Sequence, residues 1–185
     1  MHAYSVELTI AATVALLAFV AVSAVDGIYI HLVRLKLHAR PESWREHLLH
    51  TARAVLFLPM LLALFGVVSG GMLLRIGLGA VMIDQVVEVL DMMSEKDSRA
   101  SIGGLSSLEY VVHVLLTTLR SAAIALSLAA RPISAFSLSS PWVLGELEAP
   151  WRLLVAQLVP GAAVIALLHV WLALRYLPSR ARAAA

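Results

Sequence analysis

Long apolar runs alternate with short polar stretches along the chain. Five of the runs approach the ~20 apolar residues that an α-helix needs to cross the hydrocarbon core of a bilayer. They predict five transmembrane helices, at Leu8–Val25, Ala54–Leu74, Met72–Leu90, Leu108–Ala130 and Leu153–Leu174. The second and third runs meet at Ser69-Gly70-Gly71, which is typical of a turn. The pattern therefore predicts an all-α integral membrane protein with about five transmembrane helices and short loops.

Composition agrees with this pattern and excludes several classes of protein. Hydrophobic residues make up 61% of the 185 residues and charged residues 14%, whereas a soluble domain has about 45–50% apolar and about 25% charged residues. The sequence has no cysteine, which excludes disulfides, zinc–thiolate sites, iron–sulfur clusters and thiol catalysis. It also lacks the motifs of nucleotide-binding, zincin and serine-hydrolase sites. The lipid bilayer is the expected partner, and no nucleic acid is expected.

Basic residues are distributed unevenly between the two sets of predicted loops. The side that includes the C-terminus holds ten of them: Arg34, Lys36, Arg40, Arg45, Arg53, Lys96, Arg99, Arg175, Arg180 and Arg182. The opposite side holds three: Arg75, Arg131 and Arg152. Since cytoplasmic loops are enriched in Lys and Arg, this predicts a cytoplasmic C-terminus and an outer N-terminus, in the inner (cell) membrane of a bacterium.

We expect a single membrane domain over residues 1–185. Its predicted parts are a duplicated bundle at 5–130, an outer loop at 131–150, a fifth helix at 151–177 and a cytoplasmic tail at 178–185. The segment before the first apolar run contains Glu7 and no Lys or Arg, so it lacks the positive region of a signal peptide. The first helix is therefore expected to be retained.

Two predicted helix starts share the pattern S-x-x-E-x-x-x-H. The first copy is Ser43–His50, which contains Glu46, and the second is Ser106–His113, which contains Glu109. Each copy follows a helix with acidic residues near the same end. Four helices are therefore expected to form a bundle of two related hairpins, with one additional helix.

A capping box explains part of this pattern without a metal. In S-x-x-E, the serine accepts from the backbone of the third helical residue and the glutamate reaches back to the cap. The histidine is not explained, because it lies one turn after the glutamate on the same helix face. Two interpretations stay open: helix capping, or Glu–His pairs that face a shared site.

The acidic and histidine residues of the first four helices fall at one predicted depth, near the cytoplasmic side. Ionisable groups within a membrane face one another or the bundle interior, and several carboxylates gathered there need cations. The candidate metal ligands are Asp26, Glu46, His50, Asp84, Glu88, Asp91, Glu109 and His113. His31 and His169 are secondary candidates, because an α-helix turns His31 away from Asp26 and His169 fits equally as a packing residue.

The order acid, Glu–His, acid, Glu–His along four helices resembles the ferritin-like di-iron carboxylate proteins. The resemblance covers roughly the first two-thirds of the chain and concerns the architecture, since the family pattern is Glu-x-x-His and this sequence has Glu-x-x-x-His. It implies two divalent metal ions held by carboxylates and imidazoles, with iron favoured. Haem, with His50 and His113 as axial ligands, is the alternative cofactor.

Arg120 lies near the middle of the predicted fourth helix, where no acid is expected at its depth. An arginine at the bilayer centre costs at least ~2.5 kcal/mol on insertion scales. We therefore expect a non-protein partner for its charge, which makes Arg120 a candidate substrate-binding residue. Snorkelling to the interface is the alternative.

Together these features favour a membrane-embedded metal-binding protein. The first hypothesis is an oxidoreductase with two metal ions that acts near the cytoplasmic face on a lipophilic substrate or a quinone. The alternatives are a metal-ion or proton transporter, and a haem-binding or accessory subunit with a membrane protein partner. A purely structural membrane protein is a further alternative.

Overall fold

The computed structural model describes residues 4–176, and this part of the chain is mostly helical, which confirms the all-α class. Its long helices are α1 (Val6–Ser23), α2 (Trp44–Met60), α3 (Gly71–Arg99), α4 (Ser107–Ala129) and α5 (Trp151–Arg175). Two short strands, β1 (Val68–Ser69) and β2 (Val143–Gly145), pair antiparallel. Single 3-10 turns lie at Leu37–Ala39, Pro41–Ser43, Ala100–Ile102 and Ile133–Phe136. The predicted tail at 178–185, with Arg180 and Arg182, lies outside the described residues.

Helices α1 and α2 both continue as helical turns beyond the end of their α-helical hydrogen bonding. After α1 the chain continues in wider turns over Ala24–Arg34, and after α2 it does the same over Leu61–Gly66. In the first of these segments the N–H of Leu35 donates to the carbonyl of Ile30 at 2.9 Å, which is i→i+5 bonding. Such π-helical turns are rare and frequently lie at functional sites.

The helices pack as antiparallel pairs. Helix α1 lies along α4, α2 along α3, and α5 against α2. The pairing of α1 and α4 is antiparallel, since the N–H of Ser5 donates to the carbonyl of Ala130 at 2.9 Å. Consequently β1, β2 and the start of α1 share one end of the bundle, which we call the β end. The turns around Leu37–Ala39 and Ala100–Ile102 share the other, which we call the histidine end.

Four of the long helical segments are long and apolar enough to cross a membrane: Val6–Arg34, Pro41–Gly66, Ser107–Ala129 and Trp151–Arg175. The third predicted span, Met72–Leu90, is not among them, because Asp84 and Glu88 interrupt its apolar run. Helix α3 instead has a buried acidic face and an exposed apolar face. Asp84, Glu88 and Asp91 are buried, while Met82 and Met93 are 67% and 71% exposed.

The second predicted span is displaced in the structure. It was expected at Ala54–Leu74, whereas α2 begins at Trp44 and its helical turns end at Gly66. The polar residues of α2 face the bundle interior, so they belong to the helix and not to a loop. The expected turn at Ser69-Gly70-Gly71 does separate α2 from α3, although Gly71 itself is the first residue of α3. The predicted outer loop at 131–150 contains β2.

Arg131 closes the β end from the inside. Its side chain is buried and donates to the carbonyls of Leu64 at 2.9 Å and Ser69 at 3.2 Å, and to Ser127. Carbonyls at the end of a helix otherwise lack partners. Burial lowers the pKa of Arg131 to about 10, so the guanidinium stays charged at neutral pH. Arg131 lies in the loop that follows α4, as predicted, but its side chain is buried and not exposed at the membrane surface.

Gly71 makes a substitution at the β end testable. Its φ is +51°, and a Cβ there would collide with the backbone carbonyl of Ser140. Gly71→Ala is therefore expected to destabilise the fold by about 2–3 kcal/mol, measured by thermal unfolding in detergent. Gly79→Ala is the matched control, because a Cβ at Gly79 meets nothing within 4 Å. A Gly71→Ala protein as stable as this control would contradict the prediction.

Candidate metal centre

His31 lies at the centre of a buried group of ionisable side chains at the histidine end. Its Nε2 is 3.5 Å from Oδ1 of Asp26. Its ring centroid is 4.5 Å from that of His50 and 5.8 Å from that of His113. The wide turns of Ala24–Arg34 explain this position. In an α-helix, a residue five positions on is turned about 140° away, whereas i→i+5 bonding returns it to the same face.

Two groups of possible metal ligands share His31. One is Asp26, His31 and His113, and the other is His31, Glu46 and His50; within each group the ligand atoms lie within 4.8 Å of one another. Two further acids extend the groups: Oδ2 of Asp91 is 3.4 Å from His50, and Oε1 of Glu95 is 3.1 Å from His113. We call these residues the metal cluster: Asp26, His31, Glu46, His50, Asp91, Glu95 and His113.

Several atoms of the metal cluster are buried without a hydrogen-bond partner. They are Oδ1 of Asp26, Nδ1 of His31, Oε1 of Glu46, Nε2 of His50, Oδ1 of Asp91 and Nε2 of His113. A polar group buried without a partner is costly, and an ionised group more so. Four of these atoms lie in ion-pair contacts within the cluster, at 3.4 Å between Nε2 of His113 and Oδ1 of Asp26 and at 3.7 Å between Nε2 of His50 and Oε1 of Glu46. Both contacts are longer than normal hydrogen bonds. A divalent cation between the convergent oxygen and nitrogen atoms would satisfy them, so the side chains fit a metal.

Arg99 is fully buried beside the metal cluster and satisfies two of the acids. It donates to Oε2 of Glu46 at 2.7 Å and to Oε1 of Glu109 at 2.9 Å, and it lies 3.3 Å from Nε2 of His31. Glu109 also forms a capping box with Ser106. These contacts occupy Glu109 and leave it outside both groups of possible ligands.

The two copies of S-x-x-E therefore differ in the structure. Ser106 caps α4, as the capping interpretation predicts. Ser43 makes no capping hydrogen bond, and its hydroxyl donates instead to the carbonyl of Ser98 at 3.2 Å. Glu46 is thus directed to Arg99 and His50, which lies 3.7 Å away. The internal repeat of hairpins stays a prediction.

Asp84 and Glu88 form a second polar group, deeper in the bundle. Arg120 donates to both carboxylates, and Arg53 lies 3.4 Å from Asp84 and 3.2 Å from Glu88. The expectation that Arg120 has no acidic partner at its depth is therefore wrong, since α3 carries these acids into the same layer. Its role in substrate binding stays a prediction. Arg53 also lies 3.4 Å from Asp91, so it links this group to the metal cluster.

His169 belongs to a third group at the histidine end. Its ring stacks on His47 with centroids 5.3 Å apart, and His38 follows at 6.0 Å from His47. His169 and His47 are buried, whereas His38 is half-buried. Burial, together with the charge of Lys36, lowers the pKa of His38. The structure places His169 outside the two groups of possible ligands, on the wall of the adjoining cavity.

That cavity has a volume of about 360 Å³ and lies between the metal cluster and the apolar interior. Its polar end is formed by Asp26, His50, Arg53, Asp84, Arg120 and His169. Its remaining wall is largely apolar and includes Phe19, Phe57, Met60, Leu116, Leu158 and Ile165. Ligand sites have this combination of an apolar wall and a few convergent polar groups, with volumes of about 300–1,000 Å³.

Two residues of the metal cluster differ in how far the sequence pointed to them. Glu95 extends the series Asp84, Glu88 and Asp91 by one more turn of the same helix face, so this spacing could have identified it. His31 reaches the cluster only through the wide turns of Ala24–Arg34, which no pattern in the sequence predicts.

Comparisons of the chain with protein-family models, with curated proteins and with solved structures give no match.

Proposed function

We propose that this protein is a membrane-embedded metalloenzyme: an oxidoreductase that holds two divalent metal ions, with iron favoured, and acts on a lipophilic substrate. The observation that carries the proposal is the convergence of buried carboxylate and imidazole atoms without hydrogen bonds at one end of an apolar cavity. Mixed carboxylate and imidazole ligands suit iron. Ions bound there would supply redox chemistry beside the substrate.

The charge at the histidine end supports two cations. Seven buried carboxylates lie there: Asp26, Glu46, Asp84, Glu88, Asp91, Glu95 and Glu109. Among the described residues, three guanidinium groups contact them: Arg53, Arg99 and Arg120. If the histidines are neutral, the form in which they bind a metal, four negative charges remain, which two divalent ions would balance. Two groups of possible ligands that share His31 provide places for both.

The outer surface supports a position within the bilayer. Large apolar side chains are exposed on every long helix, among them Val14, Val55, Met82, Val111 and Leu167. A soluble monomer does not expose contiguous apolar surface of this kind. Helix α3 shows the arrangement most clearly, since its acids point inward and its methionines outward. The proposed orientation keeps the C-terminus in the cytoplasm. Arg99 is buried and Arg53 half-buried in ion pairs, so we no longer count either toward the charge asymmetry.

The protein's own residues position the substrate and the cluster. Phe19, Phe57 and Leu158 line the cavity and exclude water from its apolar part. Arg53 and Arg120 hold Asp84 and Glu88 by ion pairs at its polar end. Arg99 holds Glu46 through a 2.7 Å hydrogen bond.

The transport alternative requires a polar path through the whole bundle. In the described part of the chain, the β end is filled by a packed apolar core that includes Ala12, Leu16, Leu61, Leu64 and Phe65. This packing gives no support to transport. The haem alternative is not favoured either, because His31 contacts the rings of both His50 and His113.

Elemental analysis of the purified protein tests the proposal. We expect two equivalents of a divalent transition metal, with iron most abundant, and a visible spectrum without a Soret band. Protein from cells grown with added iron, purified without chelator in detergent, is the appropriate sample. A Soret band would establish haem instead, and a protein without transition metal under these conditions would contradict the proposal.

A further inference from the structure

We propose that the cavity beside the metal cluster binds one uncharged, unbranched hydrocarbon chain, which enters from the bilayer through a gap between the wide turns of Ala24–Arg34 and α5. Gly27 and Gly161 keep this gap open. The inference rests on the proposed function, since it names the substrate class of the same site.

The shape of the cavity indicates a single chain. Its wall on α5 runs from Gln157 to His169 along one face of the helix. At 1.5 Å per residue these twelve steps span about 18 Å. The cavity of about 360 Å³ is therefore drawn out along the helices, and most of its wall is apolar. An elongated apolar cavity of this kind matches an extended alkyl chain.

The charges at the polar end indicate an uncharged chain. The guanidinium groups of Arg53 and Arg120 are both paired with Asp84 and Glu88. An anionic head group would find no free cation among the described lining residues and would face carboxylates. One buried lining atom, Nδ1 of His169, has no hydrogen-bond partner and is available to a hydroxyl or carbonyl group.

The cavity opens between two helices. Four residues line the cavity and are nevertheless exposed: Ala24 and Ile28 in the wide turns after α1, and Gln157 and Gly161 on α5. The gap therefore faces the direction from which a lipid-dissolved chain would arrive.

Packing does not require glycine at either side of the gap. A Cβ at Gly27 or Gly161 would meet nothing within 4 Å. Glycine weakens a helix, so its presence at both positions is explained by the space that a side chain would fill. A large side chain at Gly161 is expected to close the gap without disturbing the fold.

Photo-crosslinking tests the inference. The probe is hexadecanol with a mid-chain diazirine, added to the protein in phosphatidylcholine nanodiscs. In the wild type we expect crosslinks on cavity-lining residues such as Phe19 and Leu158, with competition by excess hexadecanol and much weaker competition by palmitate. Gly161→Phe is expected to reduce these crosslinks at least fivefold. Gly79→Phe is the matched control, because Gly79 also has open space but lies on α3, outside the cavity.

Two results would overturn the inference: wild-type crosslinks confined to outward residues such as Met82, or equal cavity labelling in Gly161→Phe and the wild type. The wild-type crosslink map decides the matter even if Gly161→Phe fails to fold. The measurement is made on metal-loaded and chelator-treated protein. Cavity labelling of a protein that binds no metal would leave the inference standing while the proposed function fails. If the protein binds metal but its cavity is not labelled, the inference fails while the proposed function stands.

Discussion

Replacing His31 with alanine is expected to lower the affinity of the protein for its metal by more than ~100-fold, since removing even an outer partner of a metal ligand costs 10–100-fold. The effect should be large because His31 belongs to both groups of possible ligands, so one substitution removes a ligand from each. Metal content after dialysis against a weak chelator, measured by mass spectrometry of the elements, reports the change.

His38→Ala is the matched control for this substitution. His38 lies in the 3-10 turn at Leu37–Ala39, outside both groups, and its removal should leave the metal content unchanged. Circular dichroism is used to check that both variants keep the helical content of the wild type. A folded His31→Ala protein with wild-type metal content would mean that the metal is bound elsewhere.

Replacing Arg99 with methionine is expected to destabilise the metal-free protein by about 3–5 kcal/mol, the usual cost of removing one partner from a buried ion pair. The side chain of Arg99 is fully buried and neutralises Glu46 and Glu109 at 2.7 Å and 2.9 Å. Without the guanidinium group of Arg99, both carboxylates stay buried and lose this cationic partner. Unfolding by denaturing detergent, followed by circular dichroism after chelation, measures the loss.

Lys96→Met provides the comparison, because Lys96 is exposed on the same helix; surface substitutions usually change stability by less than about 0.5 kcal/mol. The double variant Arg99→Met with Glu46→Gln should lose less than the sum of the single variants, since the second substitution removes one uncompensated charge. Additive losses would show that Arg99 does not stabilise the fold through Glu46.

The ends of the apolar helices could be predicted where polar residues mark a loop. The prediction for α4 was Leu108–Ala130 and the structure has Ser107–Ala129; for α5 it was Leu153–Leu174 and the structure has Trp151–Arg175. For α2 the apolar run predicted a span only from Ala54, because Glu46 and Arg53 are polar and still belong to the helix. The S-x-x-E pattern did predict the helix start after Ser43. Hydropathy along the chain does not distinguish a polar residue in a loop from one that faces a polar interior.

The sequence predicted those site residues that share a face of a regular α-helix, because their spacing along the chain follows the α-helical period. The structure brings together five of the predicted ligands, Asp26, Glu46, His50, Asp91 and His113, and adds Glu95 at the next turn of α3. It directs Asp84, Glu88 and Glu109 to arginine partners instead. These ion pairs join residues that are distant in the sequence, so they depend on how the helices pack and leave no local pattern.

The wide turns of Ala24–Arg34 affect how related sites can be recognised in other sequences. An acid and a histidine that share a face of an α-helix are separated by two or three residues, and motif searches are written for that spacing. Here Asp26 and His31 are separated by four residues and still meet, because the helix is π-helical at that point. The spacing D-x-x-x-x-H at the end of an apolar helix is therefore a useful query. The contact between Asp26 and His31 also depends on the number of residues between them. If one of these residues were deleted, the pair would have α-helical spacing, and it would stay on one face only if the π-helical turns became α-helical at the same time.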